Sequence, residues 1–82
     1  MPERITYGQL RSVLISLGFR ETRLAKGLCL EHPQSDTEFL FRPYQASDRV
    51  TPGEVFVVRK MLDERGLLEP ESFEAQLTKA PA

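Results

Sequence analysis

An α+β fold, ordered helix, three strands, helix and a short third helix, is predicted by three features of the sequence. Two four-residue helix-entry patterns, Thr6-Tyr7-Gly8-Gln9 and Thr51-Pro52-Gly53-Glu54, stand far apart in the chain. Each opens a segment with apolar residues at helical spacing, and each segment ends at a glycine, Gly18 or Gly66. Between the two lie three short segments, bounded by turn residues, that read as strands.

In the first segment, the Thr6 hydroxyl can accept from the Gln9 amide while the Gln9 side chain reaches back, which is a capping box. Tyr7, Leu10, Val13, Leu14 and Leu17 then recur on one helical face. Gly18 supplies the left-handed residue that ends a helix over 7–17. Arg11, with Ser12 and Ser16, is left facing water.

Phe19 to Leu24 reads as a short strand of mixed polarity. Ala25-Lys26-Gly27 reads as a turn, with Gly27 expected to supply an unusual backbone angle. Leu28 to His32 is the second strand and Pro33 to Asp36 the second turn. Thr37 to Arg42 alternates, so Phe39 and Phe41 share one face. An antiparallel meander with both helices on one face is the simplest arrangement. The other face then carries residues drawn from Arg20, Thr22, Cys29, Glu31, Glu38, Leu40 and Arg42, according to register.

Pro43 to Val50 has no periodicity and reads as a loop. Pro52 sits at the first position of a helix running to about Arg65. Val55, Val58, Met61 and Leu62 form its buried stripe, and Leu67 and Leu68 follow as apolar plugs. Pro70 to about Thr78 forms a third helix, with Phe73 and Leu77 one turn apart. Ala80, Pro81 and Ala82 are expected to fray.

The chain of 82 residues is expected to be one domain, 1–82, with its core at 6–67 and a helical extension at 69–79. No apolar run approaches the ~18–20 residues of a membrane span, and the first ten residues lack a signal pattern. A single cysteine excludes an internal disulfide and a cysteine-rich zinc site. A cytoplasmic protein without metal or cofactor is expected.

Net charge is −1, which argues against strong non-specific nucleic-acid binding. The distribution is uneven. Residues 1–30 hold five basic side chains against two acidic ones, and residues 61–82 hold two against five.

The only cysteine and the only histidine lie in Lys26-Gly27-Leu28-Cys29-Leu30-Glu31-His32-Pro33. Cys29 and His32 have opposite parity on one strand, so they are expected to point to opposite faces. That makes them a poor catalytic pair. No phosphate-binding glycine loop, paired metal ligands or Gly-x-Ser-x-Gly elbow is present.

Three segments resemble the HicA (YcfA-like) family of mRNA-interferase toxins. Leu17-Gly18-Phe19 resembles the step from the first helix into the first strand. Lys26-Gly27, the strand and His32-Pro33 resemble the family's Gly-x-His strand that ends in His-Pro. Val58 to Leu67 resembles its closing helix. The resemblance spans about residues 6–67. It implies a double-stranded-RNA-binding-like fold, ribonuclease activity and an antitoxin partner of the HicB type. Here, however, Cys29 occupies the family's catalytic histidine position, and His32 matches a later, non-catalytic one. The Gly-Thr that opens the family's last helix is replaced by Phe56-Val57, and the helix starts about a turn earlier.

A thiol with a pKa of ~8.5 exchanges protons poorly at neutral pH. The expectation is therefore a HicA-like RNA-binding domain without ribonuclease activity. Arg20, Arg23, Lys26, Arg59 and Lys60 are the candidates for phosphate contact. The alternative is a protein-interaction module that binds an antitoxin-like protein or a second copy of itself. Leu40, the run Val55 to Val58, and Phe73 with Leu77 would supply its apolar patch. A hydrolase working through His32 ranks below both.

Overall fold

The computed structural model describes residues 5–80. The elements are α1 (Tyr7–Ser16), β1 (Arg20–Leu24), β2 (Gly27–His32), β3 (Thr37–Phe41), α2 (Pro52–Glu64) and α3 (Pro70–Lys79), in the α+β order that the sequence predicts. A single turn of 3-10 helix at Pro33–Ser35 joins β2 to β3.

Both capping boxes form. The Gln9 N–H donates to Thr6 Oγ1 at 3.2 Å, and the Thr6 N–H donates to Gln9 Oε1 at 3.0 Å. The Glu54 N–H donates to Thr51 Oγ1 at 3.2 Å, and the Thr51 N–H to Glu54 Oε1 at 3.1 Å. A helix start leaves its first amides without intrahelical partners. At α1 the remaining two are taken up by the 43–50 segment. The Tyr7 N–H donates to the Asp48 carbonyl at 2.7 Å, and the Gly8 N–H to the Ala46 carbonyl at 2.9 Å. That segment is therefore a structural strap, not a free loop. It places Tyr44 and Val50 in the core and pairs Thr6 with Arg49 in an isolated bridge.

The ends of α1 and α2 follow one pattern. Gly18 has φ +100° and Gly66 has φ +70°. The Phe19 N–H reaches the Leu14 carbonyl at 3.0 Å, and the Leu67 N–H reaches the Leu62 carbonyl at 2.9 Å. These bonds, one residue past a left-handed glycine, define a Schellman end. α1 stops one residue earlier than the sequence predicts, with Leu17 as its C-cap.

The sheet is antiparallel in the order β1-β2-β3, with β2 in the middle. Leu28 and Leu30 of β2, with Phe39 and Phe41 of β3, are buried against the helices. Cys29 lies between Thr22 and Leu40 on the opposite face. Both turns differ in detail from the sequence reading. Gly27 is not left-handed. It lies inside β2, where a Cβ would stand 2.2 Å from the Phe41 carbonyl oxygen. Close approach of β3, not backbone angle, requires glycine there. The left-handed residue is Asp36, at φ 54°, a short polar type that tolerates this region. The Arg65 guanidinium fixes that turn by donating to the Ser35 carbonyl at 3.0 Å.

The core unites Leu10 and Leu14 of α1, Val58 and Leu62 of α2, and Phe73 and Leu77 of α3. Of the stripe expected on α2, Val58 and Leu62 are buried while Val55 and Met61 are half-buried. Leu67 and Leu68 pack at the core's margin, as does Ala80. Pro81 and Ala82, where fraying is expected, lie outside the described residues. α3 packs against both α1 and α2, and Gln9 Nε2 donates to the Leu77 carbonyl at 3.2 Å. A fully buried Leu or Phe contributes about 1.5–3 kcal/mol. Small domains have about 5–15 kcal/mol in total, so the two anchors of α3 are a sizeable share.

Two glycines give opposite expectations. Gly27→Ala costs about 3 kcal/mol or more, because a backbone carbonyl occupies the space of the new methyl group. Gly53→Ala, in the first turn of α2 with nothing near its Cβ position, gains about 0.5–1 kcal/mol. Urea denaturation of the two variants beside the parent measures both.

Candidate functional site

The pairing ladder runs through β2 on both sides without interruption, so strict alternation holds from Leu28 to His32. Cys29 and Glu31 face away from the helices, and His32 faces them. Cys29 is only 7% exposed, and its Sγ donates to Glu38 Oε2 at 3.4 Å. Burial pushes the thiol above its usual pKa, and the Glu38 hydrogen bond and the charges of Glu38 and Glu31 add to the effect. A thiol held protonated this way is a poor nucleophile and a poor base. His32 is packed on the other side. Its ring lies 5.1 Å from that of Phe19, and its Nδ1 shares a 2.7 Å hydrogen bond with Ser35 Oγ. The structure does not bring the two together.

The sequence-predicted cations are also separated. Arg20 is on the open face, level with Glu31 and, beyond it, Glu38. Arg23 has the opposite parity and lines a polar cleft with Tyr7, Arg11 and Tyr44. Lys26 is in the β1–β2 turn. Arg59 and Lys60 are on α2, which lies along β3 at the other edge of the sheet. Arg59 is already engaged, at 3.7 Å from Glu74 of α3 and 5.3 Å above the Phe56 ring.

Two buried phenols tie the polar edges together. The Tyr7 hydroxyl donates to Glu21 at 2.7 Å, and Arg11 Nε donates to the same carboxylate at 2.9 Å. The Tyr44 hydroxyl donates to Glu54. Burial raises each carboxyl, but the hydrogen bonds outweigh it. Tyr7 and then Arg11 hold Glu21 below the ordinary range, and Tyr44 and then Thr51 do the same for Glu54. Burial and then the carboxylate partner push both phenols up.

An apolar groove lies elsewhere. β3 pairs only with β2, so its outer edge is free. Between that edge and α2 runs a groove lined by Phe39, Leu40, Phe41, Gly53, Val57 and Met61. Leu40 is 67% exposed, Phe56 52% and Val57 51%. Within the run Val55 to Val58, Val57 and Val58 both line the groove, Val57 half-exposed and Val58 buried. Sequence reading finds Leu40 and Val57 but not their meeting, because nothing local says that α2 lies beside β3.

No protein-family description, curated protein or solved structure matches the chain. Among the described residues no three metal-ligating side chains assemble. No helix there is long and apolar enough to cross a membrane.

Two measurements probe this chemistry. Cys29 reacts slowly with a disulfide reagent at neutral pH, and Glu38→Gln speeds the reaction by replacing a charged acceptor with a neutral one. Equal rates for the two proteins would contradict the assignment. Glu21 and Glu54 titrate lower in the fold than the ~4.3 of an unfolded glutamate. Their contribution is therefore present above about pH 4.3 and is lost as pH falls through the folded values. Thermal melts between pH 7 and pH 3 show Glu21→Gln less stable than the parent at neutral pH, with a smaller loss on acidification.

Proposed function

We propose that the chain is a protein-interaction module that receives an extended polypeptide strand along the free edge of β3. On this reading it is a relative of the HicA-type toxins whose ribonuclease chemistry is gone. The observation that carries the proposal is the meeting of an unpaired strand edge with the apolar groove beside it. An unpaired edge offers a row of main-chain donors and acceptors, and a groove beside it gives side chains of the added strand somewhere to go. The bound segment has an apolar centre to cover Leu40 and Val57. It carries a base to meet Glu38 and an acid to meet Arg42. Loss of ribonuclease action is supported by Cys29, a shielded thiol, and by the packing of His32 on the other face.

RNA binding is the second reading. Arg20, Arg23 and Lys26 form no ion pair among the described residues, which leaves them available for phosphate. Against it stand Glu31 and Glu38 beside Arg20 and the split of the five cations over two edges.

A photo-crosslinking amino acid placed at Val57 or at Lys26, in the cells that make the protein, separates the readings. The proposal expects protein adducts from position 57 that disappear when Leu40→Asp is added, and none from position 26. RNA adducts from position 26 with no protein adduct from position 57 would reverse the ranking.

A further inference from the structure

We infer that the strand received by β3 is β3 of a second copy of this chain, paired antiparallel about a two-fold axis through Leu40. The inference rests on the strand-addition reading and names its partner. The segment Glu38-Phe39-Leu40-Phe41-Arg42 is a charge palindrome. Read against its own reverse, Leu40 meets Leu40, each Phe39 meets a Phe41, and each Glu38 meets an Arg42. A two-fold interface requires this reciprocity, in which one residue meets a second and the second meets the first.

The structure places these residues suitably. Leu40 is the most exposed large apolar side chain among those described. Glu38 and Arg42 are both exposed, and Arg42 rests 5.9 Å from the Tyr44 ring with no ion pair among the described residues. Leu40 lies one strand over from Cys29 on the open face, level with Thr22. Pairing would extend this row across the axis and cover Leu40 with its copy. Phe39 and Phe41 line the groove from the helix side, so their counterparts would continue that layer. The axis stands perpendicular to the sheet, which keeps both α2 helices on one face of the six-stranded sheet that results.

Other registers fit less well. An axis through Phe39 sets Glu38 against Leu40. It also sets Arg42 against Asp36, which is outside the strand in a left-handed turn. An axis through Phe41 brings Pro43, which has no N–H, against Phe39. A shift by a single position flips the strand's faces and would put the two helix layers on opposite sides of the sheet. Only the axis through Leu40 sets Glu38 against Arg42, and it steps beyond β3 by that one residue alone.

Sedimentation velocity on the full chain, with reductant present to exclude a Cys29 disulfide, tests the inference. From micromolar to near-millimolar concentration the mass rises from 9.4 kDa towards twice that value. Glu38→Arg alone, or Arg42→Glu alone, sets like charges opposite each other twice per dimer. Each weakens association by about tenfold or more, which corresponds to ~1.4 kcal/mol. The double variant Glu38→Arg/Arg42→Glu restores the palindrome in reverse and recovers association. Circular dichroism confirms that each variant is folded.

A chain that stays monomeric throughout overturns the inference, as does dimerisation that the single swaps leave unchanged. The strand-addition reading has its own outcome. Adducts at Val57 to a different protein would leave that reading standing while this inference fails, and absence of both adducts and dimer would remove both.

Discussion

Leu28 and Leu30 point from the central strand into the helix layer, and their burial assigns a side to every neighbour on that strand. Cys29 and Glu31 must take the open face and His32 the covered one. The same alternation, carried across the ladder, sends Phe39 and Phe41 inward and leaves Glu38 and Leu40 outside. Cys29 is itself buried, but beside Glu38 on the face opposite the helices. The distance between Cys29 and any base on the covered face is therefore a property of the fold and not of side-chain choice.

The helix layer is held to this sheet at its ends. The 43–50 strap gives two carbonyls to the start of α1 and a hydroxyl, from Tyr44, to Glu54 at the start of α2. Tyr7 stacks on Tyr44 at 5.7 Å and meets Phe41 edge-on at 5.8 Å. Its hydroxyl reaches back to β1 through Glu21. These contacts fix α1 and the strap against the β1 edge. At the other edge α2 stands beside β3 and leaves its main chain unpaired. The two edges of the sheet thus differ: β1 is tied to α1 through Tyr7 and Glu21, while β3 leaves its outer main chain unpaired beside a mainly apolar groove.

Much of this was legible in the sequence where the cause was local. The Thr6 and Thr51 capping boxes and the left-handed glycines at 18 and 66 act within one turn of chain, and each follows from neighbouring residues alone. What escaped depends on partners distant in sequence. Gly27 reads as a turn glycine, yet its reason is the Phe41 carbonyl on another strand. The 43–50 segment reads as a plain loop because main-chain carbonyls carry no side-chain signature. Phe73 and Leu77 are visible as a helical pair, but nothing near them says that they seal the space between α1 and α2. The candidate site divides in the same way. The opposed Cys29 and His32 follow from parity. The groove needs the juxtaposition of α2 and β3, whereas the palindrome around Leu40 is written in five consecutive residues and gains meaning only once β3 is known to be an edge.

An unpaired edge bearing a well-exposed leucine is a hazard for aggregation unless its register is specified. Glu38 and Arg42 specify it by charge. The account therefore rests on completion of the β3 edge by another strand. Amide hydrogen exchange across the 37–41 segment, followed as protein concentration is raised, tests this most directly. The account predicts that protection grows in β3 with concentration while the hairpin from Arg20 to Lys26 stays unchanged. Exchange in β3 that is the same at every concentration, with the hairpin instead gaining protection on addition of RNA, would contradict it.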